Sequence, residues 1–154
     1  MTSTTSTAVP QAGAGTWTAG VYKLTNARSG TVMDLSGDDN KTLIGFTPTG
    51  NNNQQFEFIP AGEGYLIRCL RPSTKGLALF LTIEGGPRDN AGIVASTYPV
   101  SWKVEQKGEN IIISWPNTAF VFNLADGNAV IRTPIGLLTL KTGEGAQLWK
   151  FTRV

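Results

Sequence analysis

The sequence of 154 residues contains no histidine and a single cysteine, Cys69. The absence of histidine excludes Ser-His-Asp and Cys-His catalytic sites, histidine general bases and histidine metal ligands. One cysteine forms neither a disulfide within the chain nor a zinc site built from several thiolates. Because secreted proteins of this size often carry disulfides, the cysteine count favours a reducing compartment. We therefore expect no catalysis of these classes, no resident metal or cofactor, and a cytoplasmic location.

Charge is also scarce, and no long apolar run is present. Asp, Glu, Lys and Arg make up 16% of the residues, and the formal net charge is only +2. No cluster of Lys or Arg supplies the electrostatic footprint that nucleic-acid binding needs. No stretch approaches the roughly 18 apolar residues that a membrane-spanning helix needs. We therefore expect neither nucleic-acid binding nor membrane insertion.

The N-terminal segment is poor in large apolar residues. Residues 2–15 consist of Thr, Ser, Ala, Gly, Gln, Pro and one Val. Such residues bury too little surface to offset the entropy that is lost when they become ordered. The segment has no Lys or Arg and no apolar stretch, so it does not resemble a signal peptide. We expect a flexible arm over residues 1–16 and a single folded domain over residues 17–154.

The sequence is rich in short strand-like segments that alternate with turn residues. Val21–Leu24, Thr31–Leu35 and Thr42–Phe46 are enriched in β-branched and large apolar residues, and Gly, Asn, Asp and Ser surround them. The pattern continues to the C-terminus, where it predicts two separate strands over Val130–Thr133 and Leu137–Lys141. No segment of useful length has helical periodicity. The chain is therefore predicted to be all-β.

The strand-like segments form a threefold repeat. Aromatic residues in similar contexts, Phe56, Trp102 and Trp149, are 46 and 47 positions apart, so that the repeat length is roughly 46 residues. Three units are too few for a β-propeller, whereas one barrel capped by three hairpins leaves no open sheet edge. The predicted repeats cover about residues 20–62, 63–108 and 109–154.

Both the repeat and the first unit resemble a known family. Units that end in Gln-x-Trp, or in a relic of it, are similar to the ricin-B-type β-trefoil. Asn26–Gly37, Ile44–Phe46 and Asn53–Phe56 resemble the first repeat of mushroom ricin-B-like lectins. The resemblance implies a non-enzymatic, single-domain β-trefoil that binds glycans ending in galactose or N-acetylgalactosamine. It also implies a cytosolic protein and, by analogy, a role in defence against fungus-feeding animals.

The resemblance also assigns a sugar site to the first unit. It implies that Asp34, Phe46 and Asn53 contact the sugar. Gln54 would brace Asp34 from behind, and Gly45 would let the sugar approach the backbone closely. The chemistry of these residues suits a sugar: an ionised carboxylate accepts hydrogen bonds from two hydroxyls, and an amide both donates and accepts. An aromatic ring covers the apolar face of C–H groups.

The second and third units lack parts of this set. The second has no acid in Leu77–Leu81, where the first unit has Asp34. The third has Asn123 in that place, and Gly145-Ala146 precedes its glutamine. We therefore predict one sugar site per chain. Because one monosaccharide pocket typically binds near the millimolar range, about −4 kcal/mol, useful affinity would come from longer glycans or from a homodimer.

A protease inhibitor is the main alternative, because β-trefoils also include inhibitors that present a surface loop to an enzyme. The candidate loops are Arg71–Lys75 and Glu84–Asn90. Arg88 in the second loop has the charge that a trypsin-like pocket accepts. Arg71 in the first loop is a poor candidate for such a pocket, because Pro72 follows it. A further alternative is a trefoil that has kept its fold and lost its ligand.

Overall fold

The computed structural model describes residues 15–154, and within them twelve β-strands and three short 3₁₀ turns follow one another. The first four strands are β1 (Gly20–Asn26), β2 (Val32–Leu35), β3 (Leu43–Phe46) and β4 (Phe56–Ala61). The next four are β5 (Gly64–Cys69), β6 (Leu79–Ile83), β7 (Ile93–Ser96) and β8 (Lys103–Lys107). The last four are β9 (Asn110–Ser114), β10 (Phe120–Leu124), β11 (Thr133–Thr139) and β12 (Trp149–Arg153). The 3₁₀ turns are Asn52–Gln54, Ala125–Gly127 and Gly145–Gln147.

The predicted arm over residues 1–16 falls almost entirely on residues 1–14, which lie outside the described part of the chain. From residue 15 onward, no helix is long and apolar enough to cross a membrane. The twelve strands fall into three consecutive groups of four, and each group is called a unit below.

Six of the strands close a barrel. In each unit the first strand contacts the fourth, and the fourth pairs with the first strand of the next unit, so that the order β1, β4, β5, β8, β9, β12 returns to β1. The contact between β5 and the start of β8 is a bridge of two backbone hydrogen bonds, 2.9 and 2.8 Å long, between Tyr65 and Trp102. Ring closure satisfies the strand edges within the molecule.

The other six strands form three hairpins, one in each unit. They are the antiparallel pairs β2–β3, β6–β7 and β10–β11. Gly45 of β3 lies opposite Thr133 of β11, and isolated bridges join Thr42 to Val94 and the segment before β7 to β11. The hairpins therefore contact one another around the threefold pseudo-axis. A six-stranded barrel capped by three hairpins is a β-trefoil, which confirms the predicted fold class.

The core lies inside the barrel and beneath the hairpins. The three aromatic residues that mark the repeat, Phe56, Trp102 and Trp149, are fully buried. The indole N–H of Trp102 donates to the carbonyl oxygen of Leu81 at 2.9 Å. That of Trp149 donates to the carbonyl oxygen of Phe122 at 3.3 Å. Each buried indole thus has an acceptor, and both tryptophans pack the core.

One stretch differs from its predicted structure. The sequence predicts two strands, over Val130–Thr133 and Leu137–Lys141, whereas the structure has the single strand β11. Val130 and Ile131 instead lie exposed in the preceding turn, which is closed by a hydrogen bond from the backbone N–H of Thr133 to the carbonyl oxygen of Val130. The prediction of two strands is therefore wrong, because the local hydrogen bond of a turn outweighs the strand preference of two β-branched residues.

Candidate functional site

A surface cavity of about 210 Å³, called the first-unit cavity here, lies against the β2–β3 hairpin. Asp34 of β2, Phe46 of β3 and Asn53 of the first 3₁₀ turn all line it. In the hairpin register Asp34 lies opposite Ile44, and Phe46 follows two residues later. Because side chains two residues apart project from the same face of a strand, Asp34 and Phe46 share one face of the hairpin. The structure thus brings together three of the five predicted site residues.

Asp34 is the buried acid of this cavity, with only 3% of its surface exposed. Its Oδ2 accepts a hydrogen bond from Nε2 of Gln54 at 2.8 Å. Burial raises the pKa of the Asp34 carboxyl group, and it outweighs the opposing effects of hydrogen bonds from Gln54 and Asn53 and of the positive charges of Arg71 and Arg132. The result is a weakly hydrated carboxyl group held in one orientation, which can accept hydrogen bonds from hydroxyl groups once it is ionised.

Gln54 lies behind Asp34 and does not line the cavity. Besides Asp34, its Nε2 donates to the carbonyl oxygen of Thr47 at 2.8 Å, and its Oε1 accepts from the backbone N–H of Thr49 at 2.7 Å. These contacts tie the segment after β3 to the acid on β2. The geometry is the one that the predicted bracing role of Gln54 requires.

Asn53 contributes an amide whose orientation is set by the backbone of β2. Its Nδ2 donates to the carbonyl oxygen of Leu35 at 3.1 Å, and 8% of its surface is exposed. The amide lies in the lining beside Asp34. An amide fixed in this way is suited to donate to, or accept from, a ligand hydroxyl at a defined place.

Phe46 forms an aromatic wall and is only partly buried. The guanidinium carbon of Arg132 lies 5.6 Å from the centre of its ring, within the range of a cation–π contact. Nε of Arg132 also donates to Oδ2 of Asp38 at 3.0 Å. Arg132 and Asp38 both line the cavity, although they are 94 positions apart. The sequence did not predict Arg132 as a site residue, because nothing in the first unit shows that the loop before β11 reaches it.

Arg71 is the second functional candidate that the sequence did not place here. It lines the first-unit cavity although it belongs to the second unit, and its Nε donates to Oδ1 of Asn52 at 3.3 Å. One signal was available in the sequence: Arg71 follows the first strand of its unit by two residues, as Arg28 does in the first unit. This equivalence of Arg28 and Arg71 indicates a place in a cavity only when the closed barrel shows that each unit lies beside the next.

Gly45 is the fifth of the predicted site residues. The resemblance implies that it lets a sugar approach the backbone, but Gly45 is not part of the cavity lining. A Cβ atom at this position would lie 2.9 Å from Cδ1 of Leu124 and 3.0 Å from Oγ1 of Thr31. The missing side chain therefore makes room for packing between the first and third units, and the expected role of Gly45 in admitting a sugar stays a prediction.

A larger cavity, of about 520 Å³, lies against the β10–β11 hairpin of the third unit. Its lining includes Asn123 and Ala146, which stand where the first unit has Asp34 and Asn53. A neutral amide thus replaces the buried acid, and a methyl group replaces the second amide. This third-unit cavity therefore lacks the buried acid and the second amide of the first unit, although Asn90, Asp126 and Glu144 also line it.

Neither metal nor thiol chemistry is indicated in the described residues. Within 15–154, no group of three or more Asp, Glu, Cys or His side chains lies close enough together to hold a metal ion. Cys69 is buried, and burial raises the pKa of its thiol to about 11, so that it stays protonated at neutral pH.

Comparisons with known proteins agree with the β-trefoil fold. The profile of the family described as "Ricin-type beta-trefoil lectin domain-like" matches residues 9–95. The chain is similar to the ricin B-like lectin of Macrolepiota procera, solved in complex with lactose: 32% of residues are identical, the alignment covers 91% of this chain and 100% of that one, and the TM-score is 0.82. A comparison with curated protein sequences found no match.

Two more distant structures share the fold. The Rhizoctonia solani agglutinin is 22% identical, with 90% of this chain and 98% of that chain covered and a TM-score of 0.75. A proteinase inhibitor from Coprinopsis cinerea is 16% identical, with 90% and 100% covered and a TM-score of 0.67. At these identities the similarity extends to the fold alone.

Proposed function

The chain belongs to the ricin-type β-trefoil lectin family, alongside the mushroom ricin-B-like lectins, and we propose that it binds glycans ending in galactose or N-acetylgalactosamine through the first-unit cavity. The observation that carries the proposal is the meeting of a buried acid, Asp34, with Phe46 and Asn53 in one cavity. The similarity to a lectin solved with lactose, a disaccharide that ends in galactose, supports the choice of sugar.

Each of the three side chains has a distinct task in the proposed complex. The ionised carboxylate of Asp34 accepts hydrogen bonds from two neighbouring hydroxyls, and the amide of Asn53 fixes the position of one of them. The ring of Phe46 covers the apolar C–H face of the sugar. An epimer with one displaced hydroxyl leaves a buried polar group unpaired, at a cost of about 1–3 kcal/mol. Recognition therefore depends on hydroxyl geometry.

In this proposal the chain binds glycans without catalysis, and each chain has one binding site. Because a single site of this kind binds a monosaccharide at about the millimolar level, we expect biological affinity to come from extended glycans or from a homodimer. The cytoplasmic location and the role in defence stay predictions of the family resemblance.

A glycan array and a lactose affinity column test the proposal directly. The wild-type chain should be retained on the column and should bind glycans ending in galactose or N-acetylgalactosamine. Asp34→Ala should lose both, whereas Asn123→Ala, the matched change in the third unit, should keep them. Failure of the wild-type chain to bind any such glycan, or equal binding by Asp34→Ala, would refute the proposal.

Protease inhibition is the second candidate, because the chain shares its fold with the Coprinopsis cinerea inhibitor. The two candidate loops do not favour it. Nη1 of Arg88 donates to the carbonyl oxygens of Glu84 and Gly86 at 3.3 and 3.0 Å, so that the side chain folds back onto its own loop. Arg71 lies in the lining of the first-unit cavity. We expect no inhibition of trypsin or papain at micromolar protein, and inhibition abolished by Arg88→Ala would favour the inhibitor.

A further inference from the structure

Arg28 and Arg71 occupy equivalent places in consecutive units. Each follows the first strand of its unit by two residues, Arg28 after β1 and Arg71 after β5. Each also reaches the cavity of the preceding unit around the barrel, since Arg71 lines the first-unit cavity and Arg28 lines the third-unit cavity. The two cavities therefore have an arginine at equivalent positions, and the ion-pair partners of these two arginines can be compared.

The two arginines differ in their partners. Nη1 of Arg28 forms an ion pair with Oε2 of Glu144 at 3.2 Å. Glu144 immediately precedes the 3₁₀ turn of the third unit, and the residue at the same place in the first unit is Asn51. Because Asn51 is neutral, Arg71 contacts only an amide oxygen, that of Asn52, and forms no ion pair among residues 15–154.

Neither carboxylate of the first-unit cavity, Asp34 or Asp38, forms an ion pair with Arg71, although the positive charge of Arg71 acts on Asp34. Oδ2 of Asp38 accepts from Nε of Arg132 at 3.0 Å. Asp34 is almost completely buried and is held by Gln54. The guanidinium of Arg71 is therefore a partly exposed positive charge in the cavity lining without a carboxylate in ion-pair contact.

We propose that Arg71 makes the first-unit cavity prefer galactosides that carry an anionic substituent, a carboxylate or a sulfate, beside the sugar that Asp34 holds. This inference rests on the proposed function, because it specifies the class of glycan that the same site takes. A guanidinium presents its N–H groups in a planar fork that matches the oxygens of a carboxylate or sulfate. Gly37 lies beside this fork, and a Cβ added there would come into ordinary contact with Nη1 of Arg71, at 3.6 Å.

Isothermal titration calorimetry at low salt tests the preference with four probes: lactose, lactose 6′-sulfate, 6′-sialyllactose and sodium sulfate. Substitution at the 6′ position leaves the neighbouring ring hydroxyls of galactose free for Asp34. Each acidic galactoside should bind about fivefold more tightly than lactose, the gain expected of a partly exposed charge pair. The gain should shrink as salt is added, because salt screens the charges. The relative gains of the two acidic sugars distinguish a sulfated from a sialylated glycan, and sodium sulfate alone should bind much more weakly than either.

Three variants show whether Arg71 is responsible. Arg71→Gln removes its charge, and Asn51→Glu supplies the carboxylate that Glu144 provides to Arg28 in the third unit. Both should bring the ratio of acidic to neutral affinities down to about one or below, as expected when the charge pair is lost. Arg28→Gln is the matched control and should keep the wild-type ratio. Thermal unfolding followed by circular dichroism establishes that each variant is folded before it is titrated.

The outcomes separate this inference from the proposed function. Equal wild-type affinity for lactose and for both acidic derivatives would overturn the inference and leave a lectin for neutral galactosides. An unchanged ratio in Arg71→Gln, or sodium sulfate binding as tightly as lactose 6′-sulfate, would overturn it in the same way. If none of the sugars binds, the proposed function fails and the inference fails with it.

Discussion

Replacing Asp34 by asparagine removes one negative charge and almost no volume, so it isolates the contribution of that charge. The substitution suits the fold, because the third unit already has an amide, Asn123, at the corresponding place. Nε2 of Gln54, which donates to Oδ2 of Asp34 at 2.8 Å, can donate to the amide oxygen instead. Binding and stability should therefore respond to the change in charge rather than to a change in packing.

The loss of sugar affinity follows from the hydrogen bonds that the carboxylate makes. A hydrogen bond to a charged group contributes about 1.5–3 kcal/mol, and a neutral one about 0.5–1.5 kcal/mol. Exchanging charged for neutral acceptors at two hydroxyls should cost about 2 kcal/mol, or about 30-fold in the affinity for lactose. Isothermal titration calorimetry at pH 7 measures the difference.

The stability of Asp34→Asn should change in the opposite direction. Burial raises the pKa of Asp34 above its usual value of 3.8, so the folded chain holds this proton more tightly than the unfolded chain does. The stabilisation that comes from protonation is fully present below the unfolded pKa and is lost as the pH rises through the folded pKa. At pH 7 the buried charge is therefore destabilising, and Asp34→Asn should unfold at a slightly higher temperature than the wild type.

Two pH series complete the test. The difference in unfolding temperature between Asp34→Asn and the wild type should shrink as the pH falls below the raised pKa of Asp34. Lactose binding by the wild type should weaken over the same pH range, because the protonated carboxyl group accepts less well. Affinity of Asp34→Asn within twofold of the wild type, or a lower unfolding temperature at pH 7, would refute the reasoning.

Three further predictions concern the site and its scaffold. Phe46→Ala should weaken lactose binding about fivefold, because the apolar wall is lost; unchanged affinity in calorimetry would place the sugar elsewhere. Gln54→Ala should lower the free energy of unfolding in urea by about 2–4 kcal/mol, because it removes one buried and two partly buried hydrogen bonds, and a loss under 1 kcal/mol would argue against its bracing role. Gly64→Ala would place a Cβ 2.4 Å from the carbonyl oxygen of Trp102, so it should cost at least about 2 kcal/mol. Gly86→Ala, with nothing within 4 Å, is its control, and equal stability of the two variants would contradict the packing described here.

The fold was predictable because its main signal is repeated along the chain. Aromatic residues recur at nearly constant spacing at Phe56, Trp102 and Trp149. This spacing reflects the fold, because each unit contributes the same buried position to a shared core. The turn at Val130 and Ile131 was not predictable in the same way, since β-branched residues favour strands unless a local hydrogen bond decides otherwise.

The candidate site combines residues that the sequence could group with residues that it could not. Asp34, Phe46 and Asn53 belong to one unit, and a motif within that unit is enough to group them. Arg71 and Arg132 come from the second and third units, so only the closed barrel shows that they line the same cavity. The packing role of Gly45 could not be predicted for the same reason, because Leu124 from the third unit sets its surroundings.

The central claim is that the first-unit cavity holds the sugar, and an NMR titration of the isotope-labelled chain with lactose tests it most directly. Lactose should shift the amide signals of Asp34, Phe46 and Asn53 together, with one dissociation constant, and should leave those of Asn123 and Ala146 unmoved. Shifts confined to the third-unit cavity, or no shifts at tens of millimolar lactose (about tenfold above the expected dissociation constant), would contradict the account.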